Sequence, residues 1–176
     1  MEFIESNLIF NFNSSLSIQY DETKYYKEKF QSISETDISA VDFISIENNI
    51  GYLIEVKDYR NPNTKFISYK DLMPDLIKKI LSTLSSIVPM RLMSEELNEK
   101  DIAYNFSKVK ALTIVFHIEL PSKLSRQQMA YFRRDKLELA LKRKLSPISN
   151  NIYVVSTDSN LSLPWQVTKS EEEGTP

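Results

Sequence analysis

The chain has no cysteine, two glycines and one histidine among its 176 residues. Without cysteine there is no disulfide framework and no thiolate metal site, and a reducing compartment suits the chain. Gly51 and Gly174 are too few to build a glycine-rich phosphate loop or a dinucleotide-binding turn, which excludes nucleotide chemistry of those kinds. A lone His117 argues against a histidine-dominated zinc centre. No apolar run reaches the length of a membrane span, and the start (Glu2, Glu5, Asn7) is unlike a signal peptide. A cytoplasmic protein with no membrane association is therefore expected. What remains, 41% hydrophobic and 26% charged residues, is enough for one core. Residues 1–169 read as a single domain and 170–176 as a disordered acidic tail.

The charges that stand out are those inside apolar runs. Residues 40–46 and 51–60 have strand composition and flank a short polar turn, the pattern of a β-hairpin. Asp42 lies in the first run, Glu55 and Lys57 in the second. Residues i and i+2 of a strand share a face, so Glu55 and Lys57 point the same way and Asp58 points the other. Leu53, Ile54 and Val56 put apolar groups on both parities, which implies burial on both sides. Charges are rarely buried without a partner or a metal.

The spacing Asp-x(12)-Glu-x-Lys at Asp42, Glu55 and Lys57 resembles the PD-(D/E)xK nuclease superfamily, with Val41 where proline usually precedes the aspartate. The resemblance implies a restriction-endonuclease-like fold, an α/β mixed central β-sheet flanked by helices. It implies that Asp42 and Glu55, with the backbone carbonyl of Val56, hold Mg²⁺ (or Mn²⁺), and that Lys57 orients the attacking water. In resolvase-like members an acidic residue of the first helix joins the metal, and here that would be Glu22. Members also present a polar residue from the helix after the hairpin, which would be Lys79. Alternatively, Glu22 is a solvated first-turn acid and Lys79 lies along the core rim with its head in water.

The rest of the chain fits that order. Strands are expected at 8–12 and 16–20, joined as an extra N-terminal hairpin, then a helix from Asp21 to about 32. A helix over 69–87 carries Leu72, Leu76, Ile80, Leu84 and Ile87 on one face and is ended by Pro89. Residues 93–104 form a loop or short helix, 110–120 a buried strand, 125–145 a long helix and 151–156 a last strand. The implied sheet has helices on both faces. His117 and Glu119 share a strand face, where His117 serves structure. Trp165 either caps the core or stacks on a base.

Although the net charge is −2, cations gather between 123 and 144, with Arg133, Arg134, Lys142 and Arg143 the expected phosphate contacts. The reading is a metal-dependent nuclease, foremost a DNA endonuclease of restriction, repair or mobile-element defence. The alternative is a catalytically silent member that binds nucleic acid or a partner protein. The expected partners are DNA and a second copy or partner subunit.

Overall fold

The computed structural model describes residues 1–33, 38–60, 64–65, 67–126 and 132–169. Their strands are β1 (Glu2–Glu5), β2 (Leu8–Phe12), β3 (Ser17–Gln19), β4 (Phe43–Glu47), β5 (Ile50–Asp58), β6 (Ala111–Glu119), β7 (Asn151–Val155) and β8 (Trp165–Lys169). The helices are α1 (Tyr69–Met93), α2 (Leu97–Phe106) and α3 (Arg134–Leu145), with a π-helical turn at Tyr26–Phe30. No described helix is long and apolar enough to cross a membrane.

Five strands form a mixed sheet in the order β3-β4-β5-β6-β7. The β3, β4 and β5 strands run antiparallel, and β5, β6 and β7 run parallel. The β4–β5 hairpin appears as expected, its turn made by Asn48 and Asn49 at φ 51° and 62°. Two left-handed residues in a row match the right-handed twist of a hairpin, and asparagine tolerates them. Gly51 follows because a Cβ there would come within 2.8 Å of the Phe106 ring.

The second face differs from expectation. Helices α1, α2 and α3 all cover one face, through Leu76, Ile80, Phe106 and Leu141 against Ile44, Leu53, Ile114 and Phe116. The other face is covered by the small antiparallel sheet β1-β2-β8. Strand alternation turns Leu8, Phe10 and Phe12 inward, and they pack with Trp165 against Phe43, Ile54, Val56 and Val115. The molecule is thus three layers, helices on sheet on sheet.

Three boundaries move for local reasons. Residues 8–12 and 16–20 are not a hairpin: β2 pairs with β1 and β8, while β3 pairs with β4. Ser14 pins the crossing between sheets, donating to Ile46 O at 2.5 Å and accepting from Leu16 N at 3.0 Å. Helix α1 runs past Pro89 to Met93, because burial of Ile87 and Met90 on its inner face offsets the missing hydrogen bond. Arg126 is helical, directly after the expected cap Ser125, but the helix expected over 125–145 is not continuous, and α3 spans Arg134–Leu145. Arg133 is extended (φ −123°, ψ 114°), and Phe132 leaves the helical path to pack on Tyr59 at 5.9 Å. Residues 127–131 and the predicted tail lie outside the described residues.

Candidate active site

The residues before β4 are drawn to the turn after β3, where Tyr20 N donates to Asp42 O at 2.7 Å. That bond sets Asp21 beside Asp42. Glu5, at the end of β1, completes a group with Asp21 and Asp42 whose carboxylate oxygens lie within 4.8 Å of one another. Gln19 Nε2 donates to Glu5 Oε2 at 3.1 Å and holds it against the sheet edge.

Glu55 projects from β5 on the helix-covered face and is 1% exposed. Its Oε1 is shared by two ammonium groups, Lys79 Nζ at 2.6 Å and Lys57 Nζ at 3.0 Å. Lys79 also reaches Asp42 Oδ1 at 3.9 Å, so the helix lysine ties the two carboxylates together. Asp42 Oδ2 accepts from Val56 N at 2.5 Å, which fixes its side chain over the strand that carries Glu55. Asp42, Glu55, Lys57 and Lys79 therefore converge, with Val56 between them in the strand. Lys79 points inward and is not a rim lysine in water. Beside it opens a cleft of about 330 Å³ lined by Asp21, Tyr26, Ala40 and Lys79.

Electrostatically the site is short of positive charge. Burial, then the neighbouring Glu55, pushes the Asp42 carboxyl well above its ordinary range. Burial and the charges of Glu5 and Glu22 push Asp21 up to about 7. Burial also raises Glu55, although both lysines pull it back. Burial works against the Lys79 charge, but Glu55 and Asp42 outweigh it and raise its pKa. Two oxygens, Asp21 Oδ1 and Glu55 Oε2, are buried without a hydrogen-bond partner. An all-oxygen, anionic donor set of this kind suits a hard divalent cation.

Glu22 is not in the site. Its carboxylate is exposed and pairs with Lys27. The helix starts later than the sequence suggests, because Thr23 caps it by accepting from Tyr26 N at 3.2 Å. Residues 20–22 stay in the turn, and the acid that faces Asp42 is Asp21. Glu5 escaped the sequence reading altogether, since its approach depends on pairing between chain segments.

The predicted phosphate contacts are mostly engaged. Arg133 pairs with Asp135, Arg134 donates to Ser156 Oγ at 2.7 Å, and Lys142 pairs with Glu138 at 2.6 Å. Arg143 is exposed. Trp165 is 5% exposed and packs on Phe12 and Tyr52, so it does not present a face for base stacking. His117 is buried between the sheets with Nε2 2.9 Å from Glu119 Oε1, as a structural histidine should be. That bond and the Thr157 amide overcome burial and hold Glu119 down at about 2.

Comparison with known proteins finds one curated relative of note. A cysteine–tRNA ligase from Neisseria meningitidis serogroup A / serotype 4A (strain DSM 15465 / Z2491) is 30% identical over 152 residues. The match takes in 77% of this chain and 22% of the ligase, so the chain spans about a fifth of that protein's length. No protein-family model and no solved structure matches the chain.

Proposed function

We propose that the chain is a metal-dependent nuclease of the PD-(D/E)xK kind, hydrolysing phosphodiester bonds in DNA in the cytoplasm. In this reading the hairpin β4–β5, helix α1, β6, α3 and β7 form a restriction-endonuclease-like core, and the sheet β1-β2-β8 is an addition to it. The observation that carries the reading is the convergence of Asp42, Glu55 and Lys57 on one face of the hairpin, with Lys79 arriving from α1.

Asp42 and Glu55 would hold Mg²⁺ or Mn²⁺, with the Val56 carbonyl a further oxygen donor and Asp21 and Glu5 closing the anionic side. A divalent ion there supplies electrophilic activation of the scissile phosphate and of the attacking water. The chain's own groups do the rest. Lys57, 28% exposed at its side chain, is placed to orient the water and to stabilise charge developing on the phosphate oxygens. Lys79, almost buried, favours the ionised form of Glu55 against the opposing effect of burial. Burial of β5 on both faces prevents these groups from drifting apart.

The test is a Mg²⁺ titration with single-stranded, duplex and branched DNA, run beside structured RNA because the relative it resembles in part is a tRNA ligase. Cleavage of DNA that needs the ion and is lost in Lys57→Ala, with the circular dichroism spectrum unchanged, is the expected result. Metal binding with no cleavage of any substrate would assign the catalytically silent role instead.

A further inference from the structure

Helix α1 carries a polar stripe inside its buried apolar face. Lys79, Thr83 and Ser86 are spaced i, i+4 and i+7 and so share one side of the helix, among Leu76, Ile80, Ile87 and Met90. Thr83 and Ser86 are fully buried. A buried hydroxyl destabilises unless it is bonded, and both of these are. Val41 N donates to Thr83 Oγ1 at 3.1 Å. The Tyr20 hydroxyl donates to Ser86 Oγ, which in turn donates to Thr83 O at 2.6 Å. Val41 and Tyr20 are the residues immediately before Asp42 and Asp21. Both lie outside the strands, because β3 ends at Gln19 and β4 starts at Phe43.

We propose, resting on the metal site argued above, that Thr83 and Ser86 are positioning residues that set Asp42 and Asp21 at the height of Lys79 along α1. The Tyr20 N to Asp42 O bond ties the two acid-bearing turns to each other. A pair joined in that way is still free to shift along the helix. Anchors at 83 and 86, about 4.5 Å apart along the helix axis, remove that freedom. Lys79 lies one turn before Thr83, so holding Val41 against Thr83 brings Asp42 to Lys79, with Oδ1 3.9 Å from Nζ. The other oxygen, Oδ2, then meets Val56 N at 2.5 Å. Apolar side chains at 83 and 86 would fill the same space and bury more hydrocarbon. Satisfied hydroxyls instead select one register of the two turns against the helix.

Thr83→Val keeps the shape of the side chain and removes the acceptor. It should weaken Mn²⁺ binding about tenfold in calorimetric titration, the lower end for groups that act behind a metal ligand. Thr83→Ser, which keeps the hydroxyl, should bind as the parent protein does. Ser149→Ala controls for general loosening. Ser149 Oγ donates to Leu112 O at 2.6 Å, four residues along the β5–β6 pairing from Glu55, and its loss should leave the affinity unchanged. Tyr20→Phe removes only the hydroxyl that meets Ser86 and serves if Thr83→Val does not fold. It should weaken binding in the parent and add nothing to Asp21→Asn, because it acts through that acid. The Val56 amide proton gives a readout that needs no metal. Its short bond to a carboxylate shifts it downfield, and it should move upfield in Thr83→Val but not in Thr83→Ser. A parent protein that takes up no Mn²⁺ would defeat the metal reading, whereas the Val56 signal still decides the positioning. An unmoved Val56 signal or an unchanged affinity in Thr83→Val would overturn the proposal. So would equal weakening by Ser149→Ala, or a full further loss when Tyr20→Phe is added to Asp21→Asn.

Discussion

Lys79 Nζ stands 2.6 Å from Glu55 Oε1, closer than Lys57 from the same strand as Glu55. A long-range contact thus outranks the sequence-local one in holding the buried carboxylate. Replacing Lys79 by Met should cost about 3–5 kcal/mol, the range for breaking a buried pair and leaving one charge behind. Urea unfolding at pH 7 measures it. Adding Glu55→Gln to that variant should recover much of the loss, and no recovery would mean the pair is not what stabilises the region.

Stability should fall as pH rises towards neutrality. Asp21 carries its proton up to about 7 in the folded chain but only to 3.8 in the unfolded one, so the folded state binds more protons between those values. Asp42 and Glu55 shift in the same direction. Glu119 behaves oppositely: the stability it lends is complete above 4.5 and is lost as pH falls towards about 2. The melting temperature should therefore peak at about pH 4, where the gain from Glu119 and the loss from Asp21 balance. Asp21→Asn should flatten the neutral side of the curve and leave the acid side unchanged.

Metal affinity separates the acids that the structure groups from the one it does not. Calorimetric titration with Mn²⁺ should show about tenfold or more weakening in Asp21→Asn and Glu5→Gln. Glu22→Gln should match the parent protein. Equal weakening in all three would mean only net charge matters.

Reversing charges along α3 should separate binding from stability. Glu138 accepts from Lys142 on one oxygen and from Val154 N at 3.0 Å on the other, so it satisfies an amide of edge strand β7. Lys142→Glu should lower the melting temperature. Arg143→Glu with Lys144→Glu should leave it unchanged and reduce the slope of log affinity against log salt by about 0.9 per lost phosphate contact. An unchanged slope would place the substrate elsewhere.

Gly51→Ala should destabilise by about 1–3 kcal/mol, because the added carbon meets the Phe106 ring at 2.8 Å. Phe106→Leu in the same chain should relieve part of that cost, read by denaturant midpoints.

The parts legible in the sequence were those governed by local periodicity. Alternation within 40–60 revealed the hairpin and put Glu55 and Lys57 on one face, and helical spacing marked the inner face of α1. What escaped was set by neighbours distant in sequence. Thr23 moved a helix start by two residues and so exchanged Glu22 for Asp21. Strand β1 brought Glu5 to the site through pairing with β2. The composition of 8–12 fits a strand in either sheet, and only its packing against Phe43 and Trp165 decides which.

The order of the acids along the chain has a consequence for synthesis. Glu5, Asp21, Asp42 and Glu55 all precede Lys79, so a growing chain presents four carboxylates before the ammonium that ties two of them together exists. Until α1 docks, closing the hairpin against its neighbours gathers like charges with Lys57 as their nearest compensation. Like-charge repulsion therefore disfavours closing this corner before Lys79 is in place between Asp42 and Glu55. The position of Lys79 after all four acids means that their charges are balanced only once α1 has been made.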